Sequence, residues 1–223
     1  MQTEINERGP EISEQEVEIF IDKLLYLARG ARICVLAGSL PPGVDQHIYA
    51  ELITELRKLN VFTVVDTDGE VLRQAVRAEP NLVSPNVLEA EELVGHEFND
   101  EADREQSMQE IIELGANEAI ITLPDGCVAQ LHKEGGEQLY RANIETREPL
   151  ATVGSGDAFI AGYVAAYYAA KDPVECLRFG VACGTESVQH YGAGVFDPQA
   201  AKQLIDEVSV QELESSGVTG VDS

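Results

Sequence analysis

Short, unbroken apolar runs alternating with segments of helical periodicity are the feature that most constrains what this chain can fold into. Residues 33–37 (Ile-Cys-Val-Leu-Ala), 61–65 (Val-Phe-Thr-Val-Val) and 119–123 (Ala-Ile-Ile-Thr-Leu) lack the polar alternation of a half-exposed strand. Such runs belong in strands covered on both faces, and the cover comes from helices lying between successive strands. The intervening segments supply them. Ser13 with Glu16 three residues on is a capping-box signature, and Val17, Phe20, Ile21, Leu24, Leu25 and Leu27 follow at helical spacing. The same reasoning predicts helices over about 45–59, 70–77, 86–94 with Asn86 as cap, and 103–114, and a short strand at Leu82-Val83. Residues 127–142, turning at Gly135-Gly136, predict an antiparallel pair. Helices over 157–170, 173–190 and 197–208, a strand over about 208–213 and a frayed tail at 214–223 complete the pattern. The expected fold is α/β: a mostly parallel, Rossmann-like sheet with helices on both faces, in one domain spanning 1–223.

Composition removes several functions. The 40 acidic and 15 basic residues give a net charge of −25, which repels phosphate backbones and anionic lipid, so neither nucleic acid nor membrane is expected as a partner. A 44% hydrophobic content is too high for an acidic disordered tail. The longest apolar-looking stretch, 158–170, contains Gly162 and three tyrosines and falls short of the roughly 20 residues a membrane span needs. The opening Met-Gln-Thr-Glu does not resemble a secretory signal. Cys34, Cys127, Cys176 and Cys183 form no CxxC pair, so a cytoplasmic location with reduced, mostly buried thiols is expected. His47, His96, His132 and His190 are scattered and read as surface or helix-end residues.

In parallel sheets, ligands bind beyond the carboxyl ends of the strands, so chemistry is sought in the loops there. The most informative loop is Thr152-Val153-Gly154-Ser155-Gly156-Asp157, which opens a helix. Two glycines flanking Ser155 allow a sharp turn that aims several N–H groups at one point, and the helix adds its positive dipole end there. The result is an anion hole fit for a phosphoryl group. Asp157, in the first turn, can take the proton of an attacking hydroxyl while fixed dipoles absorb charge on the phosphate oxygens. In isolation the same residues also read as a tight turn and a helix cap. No Lys-Ser/Thr follows the glycines, so the loop is not of the Walker type.

Four segments in order carry a resemblance. Thr152–Asp157 is similar to the Val-Gly-Ala/Ser-Gly-Asp signature of the ribokinase-like sugar kinases, in their phosphofructokinase-B branch. Ala37-Gly38-Ser39-Leu40-Pro41-Pro42-Gly43-Val44 resembles that family's Gly-Ser-Leu-Pro loop, and Ser84-Pro85-Asn86-Val87-Leu88-Glu89 its Pro-Asn-x-x-Glu segment. Thr3-Glu4-Ile5-Asn6-Glu7, with Gly9-Pro10, resembles a stretch of the 1-phosphofructokinase subgroup, as does the region 175–198 with Cys183-Gly184-Thr185-Glu186 and Gly192-Ala193-Gly194. The resemblance covers nearly all 223 residues.

It implies a ribokinase-like fold and an ATP- and Mg²⁺-dependent transfer of phosphate to a sugar phosphate. Fructose 1-phosphate, yielding fructose 1,6-bisphosphate, is the first choice. By the resemblance, Asp157 is the general base and Gly154, Ser155 and Gly156 form the anion hole. Gly38 and Ser39, with Asp157, contact the sugar phosphate. Asn86, Thr122, Gly126, Gly154, Gly156 and Gly184 serve ATP, and Asn86 and Glu89 organise magnesium, through water. Three departures accompany it. Pro124 stands where the nucleotide loop's first glycine is expected, Ser84 where many members have Lys, and Ala151 where Asn or Asp is usual. The family's first segment, with its Gly-Gly-x-x-x-Asn stretch and lid strands, precedes the point of resemblance at which this chain opens. The fold is therefore expected without that lid, and a homodimer through the lid only where it is present. Tagatose 6-phosphate, fructose 6-phosphate, an unphosphorylated sugar or a nucleoside stay open as substrates. A non-catalytic relative binding nucleotide or sugar phosphate also stays open.

Overall fold

The structure, a computed structural model, describes residues 9–133 and 136–213. The Thr3 to Glu7 part of the first motif, Gly135 and the expected tail at 214–223 lie outside the described residues. The strands form one seven-stranded sheet in sequence order. Strands β1 (Ile33–Ala37), β2 (Phe62–Asp66), β3 (Leu82–Val83) and β4 (Glu118–Leu123) are parallel. Strands β5 (Gly126–Lys133), β6 (Gly136–Asn143) and β7 (Ser209–Leu213) continue the sheet antiparallel. The sheet is thus a parallel block of four with an antiparallel extension of three, wider than the single antiparallel pair read from the sequence.

The order explains the layers. Right-handed crossovers that all step the same way place their helices on one face. That face carries α1 (Glu14–Ala28), α2 (Ile48–Lys58), α3 (Gly69–Arg77), α4 (Val87–Val94) and α5 (Glu101–Leu114). After β6 the chain crosses over, and α6 (Ser155–Tyr168), α7 (Pro173–Ser187) and α8 (Pro198–Leu204) cover the other face; the 3₁₀ turn η1 (Ile205–Glu207) leads to β7. The strand period of two divides neighbours between the layers: Val65, Val83 and Ile121 pack with α1–α5, whereas Val64, Leu82 and Ile120 pack with α6–α8. Both partners of such a pair are apolar because both faces are covered. Each fully buried Val, Leu or Ile contributes about 1.5–3 kcal/mol relative to exposure.

Several boundaries are set locally. Ser13 and Glu16 form the capping box expected at α1, and Asn86 and Glu89 form a second at α4. Asp172 caps α7, with Pro173 in the first turn, where its missing N–H costs nothing. Helix α7 stops at Ser187, three residues before the expected end. The carbonyl of Val188 is taken by the N–H groups of Leu150 and Ala151, at 2.8 and 3.3 Å, and the chain turns away. At the other end of the sheet, β1 pairs only with β2 among the described residues, and its Val35 is 40% exposed. Ile19, Phe20, Tyr26 and Leu27 of α1 are exposed as well. All four cysteines are free, and burial pushes the Cys127 and Cys176 thiols up to about 12. No helix among the described residues is long and apolar enough to cross a membrane.

Candidate functional site

The carboxyl ends of the four parallel strands deliver Gly38, Asp66, Asn86 and Thr122 to one side of the sheet. Register does this, since Ala37 lies opposite Asp66 and Val65 opposite Val83. Gly38, at φ +87, donates its N–H to the Asp66 carbonyl at 2.8 Å, and its own carbonyl accepts from Thr67 Oγ1 at 3.0 Å and the Tyr49 hydroxyl at 3.1 Å. Ser39 follows, exposed. Farther along the sheet, Asn86 and Thr122 form an isolated parallel bridge, and the Thr122 N–H donates to the Pro85 carbonyl at 3.0 Å.

The first turn of α6 closes the arrangement from the other face. Gly154, at φ +83, precedes it, and a Cβ there would overlap the backbone N of Gly194. Only glycine satisfies both demands. The Ser155 N–H donates to the Thr152 carbonyl at 3.2 Å, and the Ala158 N–H to that of Gly154 at 3.0 Å. The N–H groups of Gly156 and Asp157 have no backbone carbonyl partner among the described residues, as expected at a helix start. A Cβ on Gly156 would meet nothing nearer than Asp66 Oδ2, at 3.9 Å, so this glycine leaves open space between α6 and the end of β2.

Three carboxylates converge beside that space. Burial pushes Asp66 up to about 7, and the charges of Glu89 and Asp157 add to the effect. Glu89 is also raised, chiefly by burial, although the Asn86 N–H bonded to its Oε2 at 2.8 Å opposes the shift. Glu89 is therefore half-buried, not the freely solvated residue a simple helix cap would leave, and Asn86 does serve as cap, accepting the Glu89 N–H at 3.1 Å. Asp157 itself is exposed.

Gly156 also lines a cavity of ≈560 Å³. Asn86, Thr122, Gly126, Ser155, Gly156 and Gly184 line it, so six residues assigned from separate motifs meet on one surface. Gly38, Ser39, Glu89, Gly154 and Asp157 do not line it; Gly154 instead packs beneath, on the loop carrying Gly194. The departure at Pro124 proves compact. Pro124 and Asp125 are the two central residues of the β4–β5 turn, with Leu123 paired to Gly126. Proline suits the first central position, where no N–H is needed. Asp125 then anchors the turn by accepting from Arg141 Nη2 at 2.6 Å and, through its carbonyl, from the Ile144 N–H at 2.9 Å. Ser84 is 3% exposed and its hydroxyl has no partner among the described residues.

Two features escaped sequence reasoning. Asp66 merely ended a strand there; a carboxylate at the end of a run apolar but for Thr63 was the available signal. The second is Glu186, 5% exposed on α7, which accepts from the Asp197 N–H at 2.8 Å and pairs with His190. This buried acid ties both ends of the loop that holds Gly194 against Gly154, so His190 is not simply a surface residue.

The donor set suits a hard cation and a polyphosphate. Carboxylate oxygens favour Mg²⁺, which keeps several waters. Among the described residues no three His, Cys, Asp or Glu side chains could hold a metal together, so a cation here needs water and phosphate oxygens to complete its shell. The cavity lies within the usual range for small-molecule sites, and its glycines allow close backbone approach.

Comparison with known proteins identifies the family. Residues 1–200 match the family model described as pfkB family carbohydrate kinase. The 1-phosphofructokinase of Borreliella burgdorferi is 29% identical over 215 residues, covering 96% of this chain and 68% of the relative. That of Bacillus subtilis is 29% identical over 213 residues, covering 95% and 68%. Among solved structures, phosphofructokinase-2 from Escherichia coli in complex with potassium superposes with a TM-score of 0.82 at 25% identity, covering 90% of this chain and 64% of that one. The chain spans about two thirds of the length of these proteins.

Proposed function

The chain belongs to the pfkB family of carbohydrate kinases, and we propose that it moves the γ-phosphoryl group of ATP to a hydroxyl of fructose 1-phosphate. One observation carries the reading: Gly156 lines a ≈560 Å³ cavity and also faces Asp66, whose charge neighbours are Glu89 and Asp157. A phosphoryl group held at Gly156 would face nucleotide on one side and acceptor hydroxyl on the other. The names of the two relatives favour fructose 1-phosphate over the other sugar phosphates.

The residues divide the work. Asp157 accepts the hydroxyl proton as the oxygen forms its bond to phosphorus and the bond to the departing ADP oxygen breaks. The N–H groups of Gly156 and Asp157 hold the phosphate oxygens, with the dipole of α6 behind them. The Ser155 N–H, engaged by Thr152, closes the turn instead. Gly154 sets the position of that turn through its contact with Gly194. Asn86, Thr122, Gly126 and Gly184 shape the nucleotide side, and Gly38 and Ser39 the sugar side. Magnesium, when bound, would neutralise phosphate charge, and Asp66, Glu89 and Asn86 would hold its waters. The test is ADP release with fructose 1-phosphate, tagatose 6-phosphate and fructose 6-phosphate as acceptors. Fructose 1-phosphate is expected to give the highest kcat/KM. Release that no sugar phosphate raises above the ATP-only background sinks the kinase reading, and a higher kcat/KM for another acceptor sinks only the substrate.

A further inference from the structure

Arg147 is the one basic side chain among the described residues that line the ≈560 Å³ cavity, and no Asp or Glu lines it. The setting makes that single charge matter. The chain as a whole carries −25, and Asp66, Glu89 and Asp157 stand across Gly156, so a polyphosphate reaching this cavity enters a repulsive field. Gly156, Asp157 and the helix dipole offer partial charges only. A guanidinium swung onto the cavity wall would match phosphate oxygens in both charge and fork geometry.

In the free protein Arg147 is engaged elsewhere. Its Nη2 donates to Glu207 Oε2 at 2.9 Å, and Glu207, on η1, is not part of the cavity wall. Both side chains are substantially exposed, at 40% and 50%. An exposed pair of this kind is weak and readily exchanged. Arg147 also lies in the loop 144–154 that runs directly into Gly154 and α6, so its reach is referenced to the anion-binding turn. We infer that Arg147 is a ligand for the polyphosphate of the nucleotide, parked on Glu207 until the nucleotide enters and then transferred to its phosphate oxygens. The inference rests on the reading of this cavity as the ATP site. The step breaks one ion pair and forms another, and no covalent bond changes.

Calorimetric binding of MgATP to the wild type, Arg147→Gln, Arg147→Lys and Glu207→Gln at low and high salt tests it. Arg147→Gln is expected to weaken MgATP about tenfold at low salt, as removal of a charge-assisted hydrogen bond does, and to lose less at high salt. Arg147→Lys keeps the charge but not the fork and is expected to lose less than Arg147→Gln does. Glu207→Gln frees the guanidinium and is expected to tighten MgATP binding about two- to threefold, roughly the worth of an exposed ion pair. Two results overturn the inference while leaving the ATP reading intact: Arg147→Gln binding MgATP as the wild type does, or Arg147→Lys losing as much as Arg147→Gln. Glu207→Gln binding no tighter than the wild type removes the parking role of Glu207. A wild type that binds no MgATP removes the inference and the ATP reading together.

Discussion

The two sides of Gly156 are built on opposite plans. One side, proposed to hold the nucleotide, is a cavity walled by glycines, hydroxyls, apolar side chains and one arginine, with no carboxylate among its described lining residues. The other side gathers Asp66, Glu89 and Asp157, close enough that their charges raise the pKa of Asp66. In a chain at −25, acids are plentiful everywhere, so their exclusion from one wall and concentration at the other is the informative part. Overall charge cannot attract ATP or a sugar phosphate to this protein. Local devices must do so, and the segregation shows where each device belongs.

The strongest way to break this comparison is Asp157→Asn. It removes the proposed proton acceptor from the acidic side only, so kcat is expected to fall about a thousandfold. Calorimetry should find MgATP bound as in the wild type. A matched loss of binding would mean that the two sides are not separable. Next comes Gly154→Ala, which forces a Cβ onto the Gly194 backbone at positive φ and is expected to cost on the order of 3 kcal/mol in urea unfolding. Its partner substitution sharpens the contrast. Gly156→Ala has room for its Cβ and is expected to change stability by less than about 1 kcal/mol, yet to lower kcat by crowding the space toward Asp66.

A further effect depends on pH. Asp66 binds its proton more tightly folded than unfolded, its carboxyl being raised from 3.8 to about 7. Stability at this group is therefore greatest below its unfolded pKa, falls as pH rises through that window and is fully reduced above about 7. Asp66→Asn should raise the unfolding free energy on the order of 2 kcal/mol at about pH 8 and leave it nearly unchanged at about pH 4. Urea titrations at the two pH values check this. A stabilisation equal at both would show that packing, not charge, sets the cost of Asp66.

What was legible in the sequence was whatever depends on near neighbours. The continuous apolar runs announced strands buried on both faces, and Asn86 with Glu89 announced a helix start because capping-box residues lie three apart. The less legible features depend on partners far along the chain. Helix α7 ends early because Val188 meets Leu150 and Ala151, a contact between residues some 40 apart that no periodicity encodes. Asp66 gains its significance only when parallel register sets it beside Gly38 and α6 closes from the other face. Glu186 looks like one more acid in an acidic chain until the fold buries it. Pro124 misled in the opposite sense: judged against a glycine-rich loop it is a defect, but in a two-residue hairpin turn it occupies a position that proline favours.

The edge at β1 has a consequence for the chain in solution. Val35 on a strand that is an edge among the described residues, with Ile19, Phe20, Tyr26 and Leu27 exposed on α1, gives them an adhesive margin. At low ionic strength, 25 net negative charges hold copies of the chain apart. Added salt screens that repulsion and leaves the apolar margin untouched. Colloidal stability and ionic strength are thereby set against each other, and dilute buffer, not brine, is the condition in which the isolated chain stays dispersed.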